Sequence, residues 1–181
     1  DGYANNRMTF RAKSGGSYTA TNDLDVVAGL PYMASRVTLA SATAPLTGEH
    51  SATIGGMPIM LTNDRSGAAP TIDLDATDAA PEAFTFNVDA DVVVYDDTTI
   101  QGDGNQRFVF GGKVREFRPG RSVTKVGTAP VEFAGGVDLT GTLDLQGGRV
   151  AFTNGEVRGT VVARTGVAMQ VGPTGIAPTS G

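Results

Sequence analysis

His50 is the one histidine of the chain, set in Thr47-Gly48-Glu49-His50-Ser51. A serine-type hydrolase needs a base that takes the nucleophile's proton and a third group that orients the base. Neighbours along a chain do not generally reach that in-line geometry, so His50 reads as an exposed loop histidine. With one His and no Cys, a zinc site would have to be built from carboxylates alone, and disulfides, iron–sulfur clusters and thiol nucleophiles are excluded outright. Carboxylates are abundant: Asp73, Asp75 and Asp78, then Asp89 and Asp91, then Asp96, Asp97 and Asp103 followed by Asn105. Calcium takes roughly 6–8 oxygen ligands, and Asp96, Asp97, Asp103 and Asn105 are the residues that suit it. The segment lacks the closing Glu of an EF-hand loop, so a solvated acidic face is the plainer reading. A glycosidase pair would need a fixed carboxylate separation that no spacing here supplies. Gly111-Gly112-Lys113-Val114 is no phosphate loop, since no hydroxyl follows the lysine and a strand pattern does; it reads as a hairpin turn. These residues name no reaction. The expectation is a protein that is not an enzyme, with no catalytic residue, no cofactor and calcium as the one candidate ion.

The elements that would position these groups are strands. The chain has 181 residues, of which 25 are Gly and only 18% are charged, about twice the usual glycine and too few charges for a helix-rich protein. Val26–Ala34, the longest nearly apolar stretch, contains Gly29 and Pro31 and falls far short of a membrane-spanning helix. Phe84, Phe86 and Val88 alternate, Val92-Val93-Val94 is β-branched throughout, and further candidate strands are Arg7–Ala12, Arg36–Ser41, Met57–Thr62, Thr71–Asp75, Arg107–Phe110 and Lys113–Phe117. In Arg149–Thr153, Val150 and Phe152 face one way and Arg149, Ala151 and Thr153 the other. Asn154-Gly155 supplies the two positive φ angles of a type I′ turn, which predicts that Arg149–Thr153 and Glu156–Val162 pair antiparallel. The expected fold is therefore all-β, an antiparallel meander, sandwich or barrel of short strands, with at most one short helix at Asn22–Ala34. A β-solenoid ranks second because no fixed-period repeat is evident. A Gly/Ala/Pro-containing stretch, Asp64–Pro70, suggests a seam, giving an N-terminal lobe at 1–66, a main β domain at 67–171 and a flexible tail at 172–181.

Charge falls in blocks. Residues 61–106 set Arg65 alone against ten carboxylates, whereas residues 107–125 carry Arg107, Lys113, Arg115, Arg118, Arg121 and Lys125 against Glu116. The basic block is interleaved with Phe108, Phe110 and Phe117, as in nucleic-acid binding segments, but the adjoining acidic block cancels much of its field and nucleic acid is disfavoured as a partner. Arginine outnumbers lysine 11 to 3, and arginine suits bidentate contacts with carboxylates across a subunit boundary. The six basic residues of 107–125 are the candidate partner interface.

The Ala/Thr/Gly/Val-rich stretch Asp25–Ala34 and the turn-dense region Val131–Val171 resemble tailed-phage virion structural proteins, in particular the small β-rich head decoration or cement proteins. That resemblance implies a non-enzymatic protein of the virus particle, a homo-trimer or larger, seated on the major capsid protein and clamping neighbouring capsomers. The chain is longer than the smallest such proteins, which leaves room for a fibre-like role. The alternative is a secreted or cell-surface fibre or adhesin domain, calcium-stabilised through the Asp-rich loops. A carbohydrate-binding module is poorly supplied with the aromatic stacking platform it needs, since Trp is absent and Tyr numbers four. The chain opens at Asp1 with neither methionine nor a basic-then-apolar leader, so its start is either processed or lies upstream.

Overall fold

The computed structural model describes residues 6–12, 16–23, 31–40, 50–75, 84–104, 106–153 and 156–172. Short extended segments broken by Gly- and Asp-containing corners do form strands, but each corner turns the chain onto a new face instead of reversing it. The first turn of chain comprises β1 (Arg7–Arg11), β2 (Tyr18–Asn22) and β3 (Tyr32–Ala34). The next turns are β4 (Arg36–Ala40), β5 (His50–Gly56) and β6 (Ile59–Leu61), then β7 (Thr71–Asp75), β8 (Phe84–Val88) and β9 (Val92–Val94). They are followed by β10 (Thr98–Gln101), β11 (Arg107–Phe110) and β12 (Val114–Glu116), then β13 (Val123–Val126), β14 (Val131–Phe133) and β15 (Val137–Leu145). β16 (Arg149–Phe152), β17 (Val157–Ala163) and β18 (Ala168–Val171) complete the series.

Up to β14 every third strand pairs with its predecessor, in parallel, so the chain winds as a coil with three faces; from β13 onward each strand pairs, again in parallel, with the one two places later. β1, β4, β7, β10 and β13 stack on one face, β2, β5, β8, β11, β14, β16 and β18 on the second, and β3, β6, β9 and β12 on the third. The nine-residue β15 joins the first and third faces into one 11-stranded sheet, because Val137 and Asp138 continue β12 while Val123 to Lys125 of β13 lie beside Leu143 to Leu145. Its register against β17 shifts between Asp138 and Thr142, where the strand rounds the corner.

The antiparallel meander, sandwich or barrel is therefore overturned: every strand pairing among the described residues is parallel. The hairpin across Asn154-Gly155 goes with it, since β16 pairs with β14 and β18 and β17 pairs with β15; Asn154 and Gly155 themselves lie outside the described residues. The glycine pairs that mimic hairpin turns are corners where successive coils touch backbone to backbone. A Cβ at Gly135 would sit 2.3 Å from the carbonyl oxygen of Gly112, and one at Gly127 (φ +82°) 2.1 Å from that of Gly102. Of the helix candidate, Asn22 ends β2 and Tyr32–Ala34 form β3, while 24–30 lie outside the described residues; no helix occurs among those that are described. Strand pairing crosses 64–70 on all three faces, β4 with β7, β5 with β8 and β6 with β9.

Inward positions line up as columns. On the second face Ile54, Val88, Phe110, Phe133 and Phe152 are in register, and the rings of Phe110, Phe133 and Phe152 stack at 5.4 and 5.6 Å between centroids. That separation follows from the strand spacing of roughly 4.8 Å. On the third face the column Ile59, Val92, Val114, Val137 and Val157 is β-branched throughout. On the first face the column Val37, Ile72, Ile100, position 125, Leu145 is aliphatic except for Lys125.

Candidate functional site

Because inward side chains are consumed by the core, the site must lie on outward positions or at corners. The best-formed concavity is a groove of about 590 Å³ across the second face, lined by His50, Thr85, Arg107, Glu132, Arg149 and Gln170, with Ala151 and Pro130 on its floor. Several polar members sit one residue from an inward anchor: Thr85 beside Phe86, Arg107 beside Phe108, Glu132 beside Phe133, Arg149 beside Val150. Arg107 donates to Glu132, whose other oxygen accepts from the Thr153 hydroxyl at 2.8 Å. Burial pushes the Glu132 carboxyl upward, but the hydrogen bonds from Arg107 and Thr153 outweigh it and hold the group below the usual carboxylate range. Arg149 donates to the amide oxygen of Gln170 at 2.8 Å. His50, read from sequence as a loop residue, is the first residue of β5, in register with Phe84.

The six basic candidates of 107–125 are not brought together. Arg107 lies in the groove. Arg115 pairs with Asp91 at 3.5 Å, and the other oxygen of Asp91 accepts the backbone N–H of Lys113 at 2.9 Å. The Arg118 guanidinium carbon lies 4.3 Å from the ring centroid of Tyr95, which itself stacks on Phe117 at 5.3 Å. Phe117 is 43% exposed, so this corner presents an aromatic pair beside a cation. Arg121 donates its backbone N–H to Glu116, and its Nε is buried without a hydrogen-bond partner. Lys125 is wholly buried, with its ammonium reaching the carbonyl oxygens of Gly127 and, at 2.9 Å, Gly147. Burial pulls its pKa down to about 8, with the Asp103 carboxylate acting in the opposite sense.

The calcium candidates serve as corner caps. Asp96 accepts the Thr62 hydroxyl at 2.9 Å and the Asn63 N–H at 2.8 Å; Asp97 accepts the Ser122 N–H at 3.0 Å; Asp103 accepts both the N–H and the hydroxyl of Thr128. Each one satisfies a corner N–H of an adjacent coil, which the strand ladders leave unpaired. Asn105 lies outside the described residues, and among those described no three metal-ligating side chains gather.

The residues that sequence reasoning missed are Thr85, Glu132 and Gln170. Alternation around Val150 and Phe152 did point Arg149, Ala151 and Thr153 outward, but the partners that turn them into a groove come from neighbouring strands about 20 residues away along the chain, 21 from Arg149 to Gln170 and 21 from Glu132 to Thr153. No family model matches the sequence, and no curated protein or solved structure matches it either.

Proposed function

We propose that the chain is a non-enzymatic structural protein of a surface assembly, a rigid coil that joins copies of itself, with the virus particle as the setting its sequence resemblance implies and a cell-surface fibre as the other. The observation that carries this reading is the corner at Tyr95, Phe117 and Arg118. An exposed aromatic residue beside arginine is the composition of an interface anchor, and here Phe117 is exposed, is backed by the half-buried Tyr95 and sits on a hydrogen-bonded frame that costs little further ordering on association. Arg107 and Arg115, expected to reach a neighbouring subunit, already pair with Glu132 and Asp91 of their own chain, which leaves Arg118 as the cation best placed for a partner. A subunit contact centred on stacked rings resists salt.

The test is the solution mass by light scattering at physiological salt and at about 1 M, where the screening length falls to roughly 3 Å. The expected result is a trimer or larger species at both, reduced to monomer in the Phe117→Ser/Arg118→Glu double variant with an unchanged circular-dichroism melt. A wild-type monomer at both salts, or a double variant of unaltered mass, refutes the proposal.

A further inference from the structure

We propose that the groove on the second face is a binding site for an acidic polysaccharide, with Arg149 and Arg107 receiving the negative groups of the sugar chain. This stands apart from the subunit contact proposed above, which uses a different corner of the coil.

Arg36, Arg107, Arg115, Arg158 and Arg164 each have a carboxylate partner within the chain. Arg149 is held instead by the neutral amide of Gln170, and among the described residues no carboxylate forms an ion pair with it. Its charge is therefore oriented but not compensated, and it lies in the groove. Arg107 keeps donors beyond the one that Glu132 uses. The two arginines immediately precede Phe108 and Val150, which flank Val131 in register, so their α-carbons are two strand spacings apart, about 10 Å. Two cations anchored at that spacing along one groove suit an extended chain with repeated charges.

The groove runs across β5, β8, β11, β14, β16 and β18, from His50 to Gln170, a length of about 24 Å at five strand spacings. Its lining offers hydroxyl, amide, imidazole and guanidinium groups, together with the Glu132 carboxylate, whose two oxygens are taken up by Arg107 and Thr153, and its floor includes the small apolar surfaces of Ala151 and Pro130. That set matches the hydroxyls, carboxylates and C–H faces of a uronic-acid chain. A peptide partner would be expected to add along a free sheet edge; β11, β14 and β16, which lie between and beneath the two arginines, are each hydrogen-bonded on both sides and offer side chains only, and β18, an edge strand of the sheet among the described residues, meets the groove only at Gln170. Recognition here relies on charge and hydrogen bonds, so the scarcity of aromatic platforms does not oppose it.

The test is calorimetric titration of the full chain with a galacturonate hexamer, beside maltohexaose as the neutral sugar and hexaglutamate as the acidic peptide. The galacturonate hexamer is expected to bind, at least tenfold more weakly to Arg149→Gln and not measurably to Ala151→Tyr, which fills the floor without changing charge. Binding by the wild type should weaken on raising the salt to about 1 M. The melt of each variant checks that the fold is intact, and the two variants act by different routes, so both are not lost to one folding defect. Failure of the wild type to bind the uronate, equal binding of maltohexaose or hexaglutamate, or full affinity in both variants overturns the proposal. Monomeric wild-type protein that binds galacturonate would refute the subunit contact alone.

Discussion

Lys125 occupies a position that Ile100 and Leu145 fill with hydrocarbon on either side, and replacing it with methionine tests why a charge is tolerated there. The side chain is 0% exposed, and its ammonium is met by two corner carbonyls, Gly127 and Gly147. Its pKa falls from 10.5 in the unfolded chain to about 8 in the fold. One pKa unit corresponds to about 1.4 kcal/mol, so the buried charge costs about 3 kcal/mol at pH 7 relative to the unfolded state. A base with a depressed folded pKa carries the full penalty below that pKa. Between about 8 and 10.5 the unfolded chain holds the proton and the folded one does not, so stability rises with pH across that window and the penalty is gone above it. Lys125→Met removes the charge at a similar volume but leaves both carbonyls without their donor, a loss of about 1 kcal/mol each. At pH 7 the variant should therefore equal or exceed the wild type by about 1 kcal/mol, and at pH 10.5 it should be about 2 kcal/mol less stable. Urea unfolding of both proteins at each pH reads the difference directly, and groups common to the two, tyrosines included, cancel. With a slope of about 2 kcal/mol per molar urea, the gap between midpoints should swing by more than about 1 M. A gap that stays constant from pH 7 to 10.5 would refute the buried, charge-penalised lysine.

Gly127 and Gly67 form a matched pair, with φ of +82° and +83°, but a Cβ would strike the Gly102 carbonyl at 2.1 Å in the first and meet nothing within 4 Å in the second. Gly67→Ala should cost about 1 kcal/mol from backbone conformation alone, while Gly127→Ala should cost several times more or prevent folding; equal urea midpoints would show that the corners are not in contact. Phe133 lies between Phe110 and Phe152, and Phe133→Ala should cost about 3–5 kcal/mol, read by calorimetry; a loss below 1 kcal/mol would mean that the ladder is loosely packed. Glu132→Gln should cost about 1 kcal/mol at pH 7. Since the Glu132 pKa is lowered from 4.5 in the fold, its contribution is present above about 4.5 and lost as pH falls through the folded value. The gap between wild type and variant should therefore close on acidification, and a gap that persists at pH 3 would contradict the Arg107–Glu132–Thr153 arrangement.

Strand content was legible in the chain because inward and outward residues alternate in any β sheet. Thr71–Asp75 and Arg107–Phe110 are strands at the bounds read from sequence, and Arg36–Ser41 and Lys113–Phe117 differ only at their ends. Direction was not legible, because a strand of three to five residues alternates identically whether its neighbour runs parallel or antiparallel. What would have separated the two is periodicity, and the coils conceal it by changing length: residues paired across adjacent turns are 35 apart between Arg36 and Thr71, 28 between Asp73 and Gln101, 25 between Asp103 and Thr128 and 20 between Ser122 and Thr142. Turn length is not constant, running 29, 35, 28 and 25 residues down the first face from β1 to β13 and falling to 19 or 20 beyond it, so no fixed repeat emerges from sequence. β2 and β13 escaped for a different reason: Tyr18–Asn22 is polar on its outward side and only partly buried inward, and Val123–Val126 carries a lysine where the alternation calls for an apolar residue.

The charge blocks were legible as complementary, and the coil explains why their complementarity is used mainly within the chain. An acidic stretch followed by a basic stretch suits pairing between subunits if the two are held apart, as in separate lobes. In a coil with turns of 18–35 residues, they fall instead on neighbouring turns, one strand spacing apart. Asp91 thus meets Arg115 and the Lys113 backbone, Asp97 meets Ser122, and Asp103 meets Thr128 and lies near Lys125. Several of these acidic residues cap corner N–H groups and brace one turn against the next. Net repulsion in the acidic block is offset locally, which lets the chain carry a formal charge of −5 without spreading its turns. The cations that escape this pairing are then the informative ones. Arg118 lies over an aromatic ring and Arg149 is held by an amide, and these are the two positions at which a partner and a ligand, respectively, are proposed to act.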